Sequence, residues 1–183
     1  MSSDFNSFVQ FFFTQLADDN FYQSDSLTSY LNLPSSQRTN DEANIVDDKI
    51  TRNLISALGY ASGEVDYNKV LSTRKRTDFT VNITEYPRPC FVAESKNTST
   101  KKLSENLPQL ADYMRSQGAT RGLLIDGKTI LTYELSGGQI ILTSEIFLHE
   151  LVKKWRGESL FALNQNGVDA LDKHDIVTLK AFW

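Results

Sequence analysis

The chain has 183 residues, of which 40% are hydrophobic and 23% charged, and its formal net charge is -4. This length suits one globular domain, and the composition excludes a chain that is disordered throughout. No apolar stretch approaches the roughly 20 residues that span a bilayer, and the N-terminus lacks the basic segment of a signal peptide. One cysteine and two histidines exclude a disulfide framework and a multi-histidine zinc centre. We therefore expect a cytoplasmic protein without a membrane partner.

The N-terminal third of the chain is predicted to contain two helices joined by a loop. Residues 5–17 carry an apolar stripe at helical spacing, formed by Phe5, Phe8, Phe12 and Leu16. Residues 24–40 are rich in Ser, Asn and Thr, which predicts a loop. Residues 41–58 repeat an apolar residue at every fourth position, and Gly59 follows as a natural stop. That segment is therefore predicted to be a helix.

Strands and one helix are predicted for the middle of the chain. Residues 66–71 form a possible short strand, and residues 77–84 alternate between apolar and polar side chains. Residues 90–96 are largely apolar, which is typical of a central, buried strand. A helix is predicted over residues 107–117, with Pro108 allowed in its first turn.

The last predicted elements are three strands and a helix. The strands cover residues 122–126, 129–135 and 139–143, and the dipeptides Asp126-Gly127 and Gly137-Gly138 are typical of the turns between them. Ser144 is predicted to cap a helix that ends at Arg156. The order of elements predicts an α/β (α+β) fold with a mixed central β-sheet flanked by helices.

Two carboxylates and an ammonium are expected to meet on one face of this sheet. Residues two apart on a strand face the same way, so Glu94 and Lys96 share a face, and Asp78 lies on the polar side of a neighbouring strand. Burying such groups unpaired is costly. One explanation is a plain salt bridge of Lys96 with Glu94 or Asp78. The other is a divalent cation such as Mg²⁺, which prefers oxygen ligands.

The same residues resemble a known family. Asp78, an intervening segment of 15 residues and an apolar strand that ends in Glu94-x-Lys96 are similar to the core of the PD-(D/E)XK nuclease superfamily, although Thr77 stands where the pattern has proline. Residues 41–58 resemble the N-terminal helix of restriction-enzyme nuclease domains, in which a first-turn Glu, here Glu42, approaches the metal.

Two further motifs extend this resemblance to about residues 40–135. Gln109-x-x-x-Tyr113 is similar to the QxxxY motif of the RecB-like and type I restriction subgroups. Residues 122–133 are similar to the strand, Asp-Gly turn and Tyr-ending strand of the same domains. The chain thus resembles the N-terminal nuclease domain of type I and related restriction enzymes.

The resemblance implies a restriction-endonuclease-like core and a DNA endonuclease that uses Mg²⁺, with Mn²⁺ substituting. Asp78 and Glu94 would hold the metal, Lys96 would position or activate water, and Glu42 would assist. The residues implied to support the site or contact DNA are Gln109, Tyr113, Lys101 and Lys102. A motor, methyltransferase or specificity module, in the same chain or a partner chain, is the implied partner besides DNA. No organic cofactor is implied.

The domain prediction is one nuclease domain over residues 1–183. Its core covers about residues 40–143. Residues 1–39 add an N-terminal helix and loop, and residues 144–183 add a C-terminal helical extension.

Alternatives remain for several of these residues. Glu42 could form a capping box with Thr39. Gln109 and Tyr113 lie off the apolar stripe of their helix and could form a solvated face. Lys101 and Lys102 could likewise be solvated. For the whole chain, the alternative is a non-catalytic nucleic-acid-binding or scaffold domain with a degenerate nuclease fold.

A match to the P-loop pattern in residues 122–129 is not interpreted as a nucleotide site. A P-loop follows a strand and opens a helix, whereas the four variable positions here are themselves strand-like and no helical period follows. A hairpin explains the same residues.

Overall fold

Six strands form one mixed sheet in which the spatial order follows the chain order. They are β1 (Val65–Val70), β2 (Arg76–Val81), β3 (Phe91–Ser95), β4 (Arg121–Ile125), β5 (Thr129–Ser136) and β6 (Gln139–Phe147). β3 and β4 pair in parallel, and the other neighbouring strands pair antiparallel. The computed structural model describes residues 5–23, 26–38, 40–71, 74–83, 85–157 and 182. The fold is α+β, which confirms the predicted mixed sheet.

Five α-helices lie in the described part of the chain. They are α1 (Phe5–Leu16), α2 (Leu27–Asn32), α3 (Arg52–Ala57), α4 (Leu107–Gln117) and α5 (Leu148–Trp155). α3 continues directly from a π-helix (Glu42–Thr51), and three short 3₁₀ turns cover Ser35–Gln37, Ser62–Glu64 and Leu103–Asn106. None of these helices has both the length and the apolar character that crossing a membrane requires.

Two apolar clusters hold the helices against the sheet. The larger one contains buried side chains of α1, the π-helix, α3 and α5, among them Phe8, Phe12, Leu16, Ile50 and Leu54. These side chains include the predicted stripe of α1 except Phe5, whose side chain lies outside the described residues. The smaller cluster packs α4 onto the other face of the sheet. Each fully buried Leu or Phe contributes about 1.5–3 kcal/mol to stability. Helices therefore cover both faces of the sheet.

The helix predicted over residues 41–58 is present, but ten of its residues, Glu42–Thr51, form a π-helix. The Arg52 N–H bonds to the carbonyl of Asp47, five residues earlier. In this wider turn, residues five apart are hydrogen-bonded neighbours. The apolar positions Val46 and Ile50 are still buried, because they point into the larger cluster.

α4 occupies the predicted residues 107–117. Pro108 lies in its first turn, where a missing N–H costs nothing. The helix ends at Gly118, which has a φ of 71°, a left-handed conformation that glycine adopts without strain. The predicted strands are also present, with ends that differ by a few residues.

Two secondary-structure predictions are wrong. Residues 24–40 contain α2 and a 3₁₀ turn, because the Ser26 side chain accepts the Ser29 N–H and caps a helix. Ser144 does not cap the last helix, because it lies within β6 opposite Thr132. β6 runs on to Phe147, since continued pairing with the long β5 satisfies more backbone groups than an early helix start.

Candidate active site

β2 and β3 separate at the carboxyl end of β3. Their backbone pairing ends with Phe79 opposite Ala93. Beyond that point the carboxylate of Asp78 takes the place of the backbone, because its Oδ2 accepts the Ser95 N–H at 2.8 Å. β3 remains paired with β4 on its other side. The result is a fork in the sheet with Asp78 on one arm.

Glu94 and Lys96 lie on the other arm of this fork, as the strand period predicts. The Lys96 Nζ donates to Glu94 Oε1 at 2.5 Å, and the two side chains are 16% and 2% exposed. The second oxygen, Glu94 Oε2, is buried and receives no hydrogen bond from the described residues. The Asp78 carboxyl lies within hydrogen-bonding reach of Glu94. The three predicted residues therefore form one cluster.

Gln109 and Tyr113 reach this cluster from α4. The Gln109 Nε2 donates to Glu94 Oε1 at 2.5 Å and to the Tyr113 hydroxyl at 2.8 Å. Tyr113 is only 3% exposed and Gln109 is half-buried, so the alternative of a solvated polar face does not hold. The buried sector of α4 is wider than its apolar stripe, because Tyr113 packs into the smaller apolar cluster. The bond of Gln109 to Glu94, with Tyr113 behind Gln109, agrees with a supporting role.

Two more carboxylates approach the fork from the π-helix, on the opposite face of the sheet. Glu42 lies near the Asn97 backbone, and its pKa responds to the charges of Lys96 and Asp78. Asp47 lies near the Ser95 hydroxyl, which lowers the pKa of Asp47 and is itself 3.1 Å from the Thr51 hydroxyl. Asp47 Oδ1 is buried without a partner among the described residues. The fork thus gathers two carboxylates from the strands and two from the π-helix.

Asp41 ties the start of the π-helix to the loop that follows β3. It is 4% exposed, and its Oδ2 accepts hydrogen bonds from the Thr98 N–H at 3.1 Å and from the Thr98 hydroxyl. Arg38 Nη1 in turn donates to Thr98 Oγ1 at 2.7 Å. Because Glu42 is the next residue, these bonds set its position beside the fork.

We expect Asp41→Asn to lower the free energy of unfolding by about 1–2 kcal/mol, because the carbonyl oxygen of Asn can accept both Thr98 donors but lacks the charge that strengthens these buried hydrogen bonds. Urea unfolding at pH 7 measures the change. Asp48→Asn is the matched control, since Asp48 lies on the same π-helix, is 57% exposed and faces Arg52 at 3.6 Å. That variant should change stability by less than about 0.5 kcal/mol. Equal losses in both variants would contradict the anchoring role.

The pKa values of the carboxyl groups at the fork are raised, because the groups are buried and few positive charges lie beside them. Burial, followed by the charge of Asp78, raises the pKa of Glu94 to about 8. Burial also raises the pKa of Asp47 to about 6 and raises the pKa values of Asp78 and Glu42. For Lys96, burial lowers the pKa, but the hydrogen bond and charge of Glu94 outweigh it and raise the pKa overall. The single ammonium of Lys96 therefore lies among the four carboxyl groups of Glu42, Asp47, Asp78 and Glu94.

Lys101 and Lys102 lie outside this cluster. Both are exposed, and Lys102 Nζ is 3.7 Å from Glu105 Oε1 in a solvated pair. Such a pair stabilises a protein very little. The two lysines and Lys128 line an open cleft of about 400 Å³. The structure does not place them in contact with Glu94, so a role in binding substrate remains a prediction.

Two other sequence interpretations have clear outcomes. The capping box proposed for Glu42 requires Thr39, which lies outside the described residues. The rejection of a P-loop is confirmed, because residues 122–129 form most of β4, a turn and the start of β5. In that turn, Asp126 Oδ1 accepts the N–H groups of Lys128 and Thr129, as expected for a hairpin with Asp-Gly. The tail predicted as helical extension is described only to residue 157 and at Phe182.

The sequence analysis missed Asp47, Asp41 and Ser95. Asp47 could not be placed beside Glu42 from α-helical spacing, because residues five positions apart lie on different faces of an α-helix. Asp41 stands one position before the predicted metal-site Glu, which could have been noticed. Ser95 occupies the middle of Glu94-x-Lys96, where its N–H and hydroxyl connect Asp78 and Asp47.

No family model and no curated protein matches this chain. Among solved structures, the chain is similar to one described as "cryoEM structure DrdV-DNA complex", with a TM-score of 0.36 and 13% sequence identity. The likeness covers 76% of this chain and 14% of that chain. A likeness this distant carries no argument about function.

Proposed function

We propose that the chain is a Mg²⁺-dependent DNA endonuclease of the PD-(D/E)XK type. The observation that supports this best is the fork, where Asp78, Glu94 and Lys96 meet. There the buried Glu94 Oε2 receives no hydrogen bond from the described residues. Burying an acceptor without a partner costs about 1–3 kcal/mol. A bound cation would remove this cost.

The oxygen atoms at the fork fit a hard divalent cation. Carboxylates are the ligands that Mg²⁺ prefers, and Mg²⁺ commonly takes one or two of them and fills its remaining positions with water and phosphate. Among the described residues, no group of three or more His, Cys, Asp and Glu side chains is placed to hold a metal ion together. An open site with Asp78 and Glu94 as the protein ligands agrees with both facts. Mn²⁺ has similar preferences and should substitute.

Each residue then has a distinct role. Glu94 Oε1 already accepts hydrogen bonds from Lys96 and Gln109, so Oε2 is the atom left for the metal. Asp78 would supply the second ligand, with its carboxyl oriented by the Ser95 N–H. When bound, the ion neutralises phosphate charge and lowers the pKa of a coordinated water.

The remaining groups prepare the attack on phosphorus. Lys96 has N–H groups beyond the one given to Glu94, and these can orient the attacking water or contact a phosphate oxygen. Glu42 lies close enough to respond to the charge of Lys96 and would assist the metal or its waters. Gln109 holds Glu94 in place and Tyr113 holds Gln109. Target choice would come from a motor, methyltransferase or specificity module in the same or a partner chain.

Nicking of supercoiled plasmid with Mg²⁺, with Mn²⁺ and with EDTA tests the proposal. Wild type should nick only with metal, and Asp78→Asn should lower Mg²⁺ affinity at least about tenfold, or about 1.4 kcal/mol, as measured by calorimetry. Asp66→Asn is the matched control, because Asp66 lies on β1 with its side chain 52% exposed. Nicking that survives Asp78→Asn at limiting Mg²⁺ would reject this site. DNA binding without nicking would favour the non-catalytic alternative.

A further inference from the structure

The hairpin that carries Asp78 ends in three basic residues. Arg74, Lys75 and Arg76 connect β1 to β2 or begin β2, and all three are exposed. β2 runs antiparallel to β3, so the start of β2 lies at the carboxyl end of β3. The basic end of the hairpin is therefore at the same end of the sheet as the fork.

Lys75 contacts α4 from this hairpin. Its Nζ lies 2.8 Å from Asp112 Oδ2 in an exposed pair, and Asp112 immediately precedes Tyr113, which supports the fork. Backbone hydrogen bonds from the Leu71 N–H to the Lys75 carbonyl and from the Arg74 N–H to the Leu71 carbonyl close the turn. The position of the hairpin relative to the fork is set by the pairing of β2 with β3.

The two arginines present their side chains differently from Lys75. Arg76 lies two residues before Asp78 on β2, so both side chains leave the same face of the strand, about 7 Å apart. Within the described part of the chain, no ion pair engages Arg74 or Arg76. Arg74 has a φ of 63°, a left-handed conformation that suits Gly or Asn better.

The negative charge of the fork calls for nearby positive groups if an anionic substrate is to bind. Four carboxyl groups at the fork would repel a phosphate backbone, and the net charge of the chain is -4. An anionic polymer can approach such a site only if local positive groups offset the repulsion. Arg76 is placed to do this beside Asp78, and its planar guanidinium matches phosphate geometry.

We infer that Arg76 binds a backbone phosphate of the substrate strand, next to the phosphate held at Asp78 and Glu94, and that Arg74 adds a second contact. Phosphates advance about 3.4 Å per nucleotide along the duplex axis, so a separation of about 7 Å places the phosphate at Arg76 one or two nucleotides from the scissile one. Arg76 is a positioning residue in this inference, which rests on the proposed nuclease function.

Binding of a fluorescein-labelled duplex of about 20 base pairs, in EDTA, tests the inference by anisotropy over a range of salt. Arg76→Ala should weaken binding about 5- to 20-fold and reduce the slope of log K against log salt by about one. Arg76→Lys should retain the slope, since the charge remains. Arg88→Ala is the matched control, because Arg88 is also exposed and lies just before the opposite end of β3.

Cleavage kinetics separate this inference from the proposed function. With Mg²⁺, Arg76→Ala should raise KM about as much as it weakens binding and change kcat less than about threefold. If wild type cleaves and Arg76→Ala binds and cleaves like wild type or Arg88→Ala, the inference is wrong and the nuclease proposal stands. If wild type neither binds nor cleaves DNA, both are wrong.

Discussion

Replacing Lys96 by methionine is expected to lower the rate of Mg²⁺-dependent DNA cleavage about a thousandfold, within the range for a group that moves or orients a proton in the transition state. The same change should leave Mg²⁺ affinity equal or higher. The reason is that the Lys96 ammonium, 2.5 Å from Glu94 Oε1, repels a second cation at the same carboxylate. Single-turnover nicking gives the rate, and calorimetric titration gives the affinity.

This separation of rate from affinity distinguishes two roles for Lys96. If Lys96 only neutralises Glu94 in a structural salt bridge, its loss should not slow cleavage once Mg²⁺ has replaced that charge. Lys153→Met is the matched control, because Lys153 pairs with Glu150 at 3.0 Å on α5, outside the fork. A near-normal rate in Lys96→Met at saturating Mg²⁺ would therefore contradict the role in activating water.

The meeting of Asp78, Glu94 and Lys96 could be predicted from the sequence because it depends on strand periodicity. Alternation in residues 77–84 and the apolar run of residues 90–96 define two strands, and the period of two places Glu94 and Lys96 on one face. What the pattern did not reveal is the fork itself. The Asp78 carboxylate replaces a backbone partner of Ser95, and this depends on where the antiparallel pairing stops.

The contribution of Asp47 could not be predicted from an α-helical pattern. At 100° per residue, a side chain five positions after Glu42 points well away from it. In the π-helix, residues five apart are neighbours instead, and Asp47 reaches the Ser95 hydroxyl. Nothing in the local composition marks the wider turn, because π-helices depend on packing more than on propensity.

Gln109 and Tyr113 show a different limit. The angular count correctly separates them from the apolar stripe of α4, yet Tyr113 is buried. A helical wheel gives the direction of a side chain but not the width of the surface that covers it. Here Tyr113 packs into the smaller apolar cluster and orients Gln109, which bonds Glu94, so polar side chains of α4 support the fork.

Glu94→Gln is expected to make the metal-free protein more stable at high pH. The pKa of Glu94 is about 8 in the folded chain and about 4.3 in an unfolded one. Below about pH 4 both states are protonated, and the stability associated with the neutral carboxyl is fully present. Between pH 4 and 8 only the unfolded state releases its proton, so stability is lost as the pH rises. Glutamine is neutral throughout and avoids this loss.

The variant and wild type should therefore differ little at pH 4, and Glu94→Gln should be more stable by about 5 kcal/mol at pH 8 to 9. Urea unfolding in EDTA measures this difference, and Glu105→Gln, at an exposed glutamate, is the matched control with no expected gain. Mg²⁺ should reverse the order, because it stabilises only a chain that can hold it. A Glu94→Gln variant that is less stable than wild type in EDTA at pH 8 would show that Glu94 is already compensated in the folded protein. The argument for a missing cation at the fork would then fail.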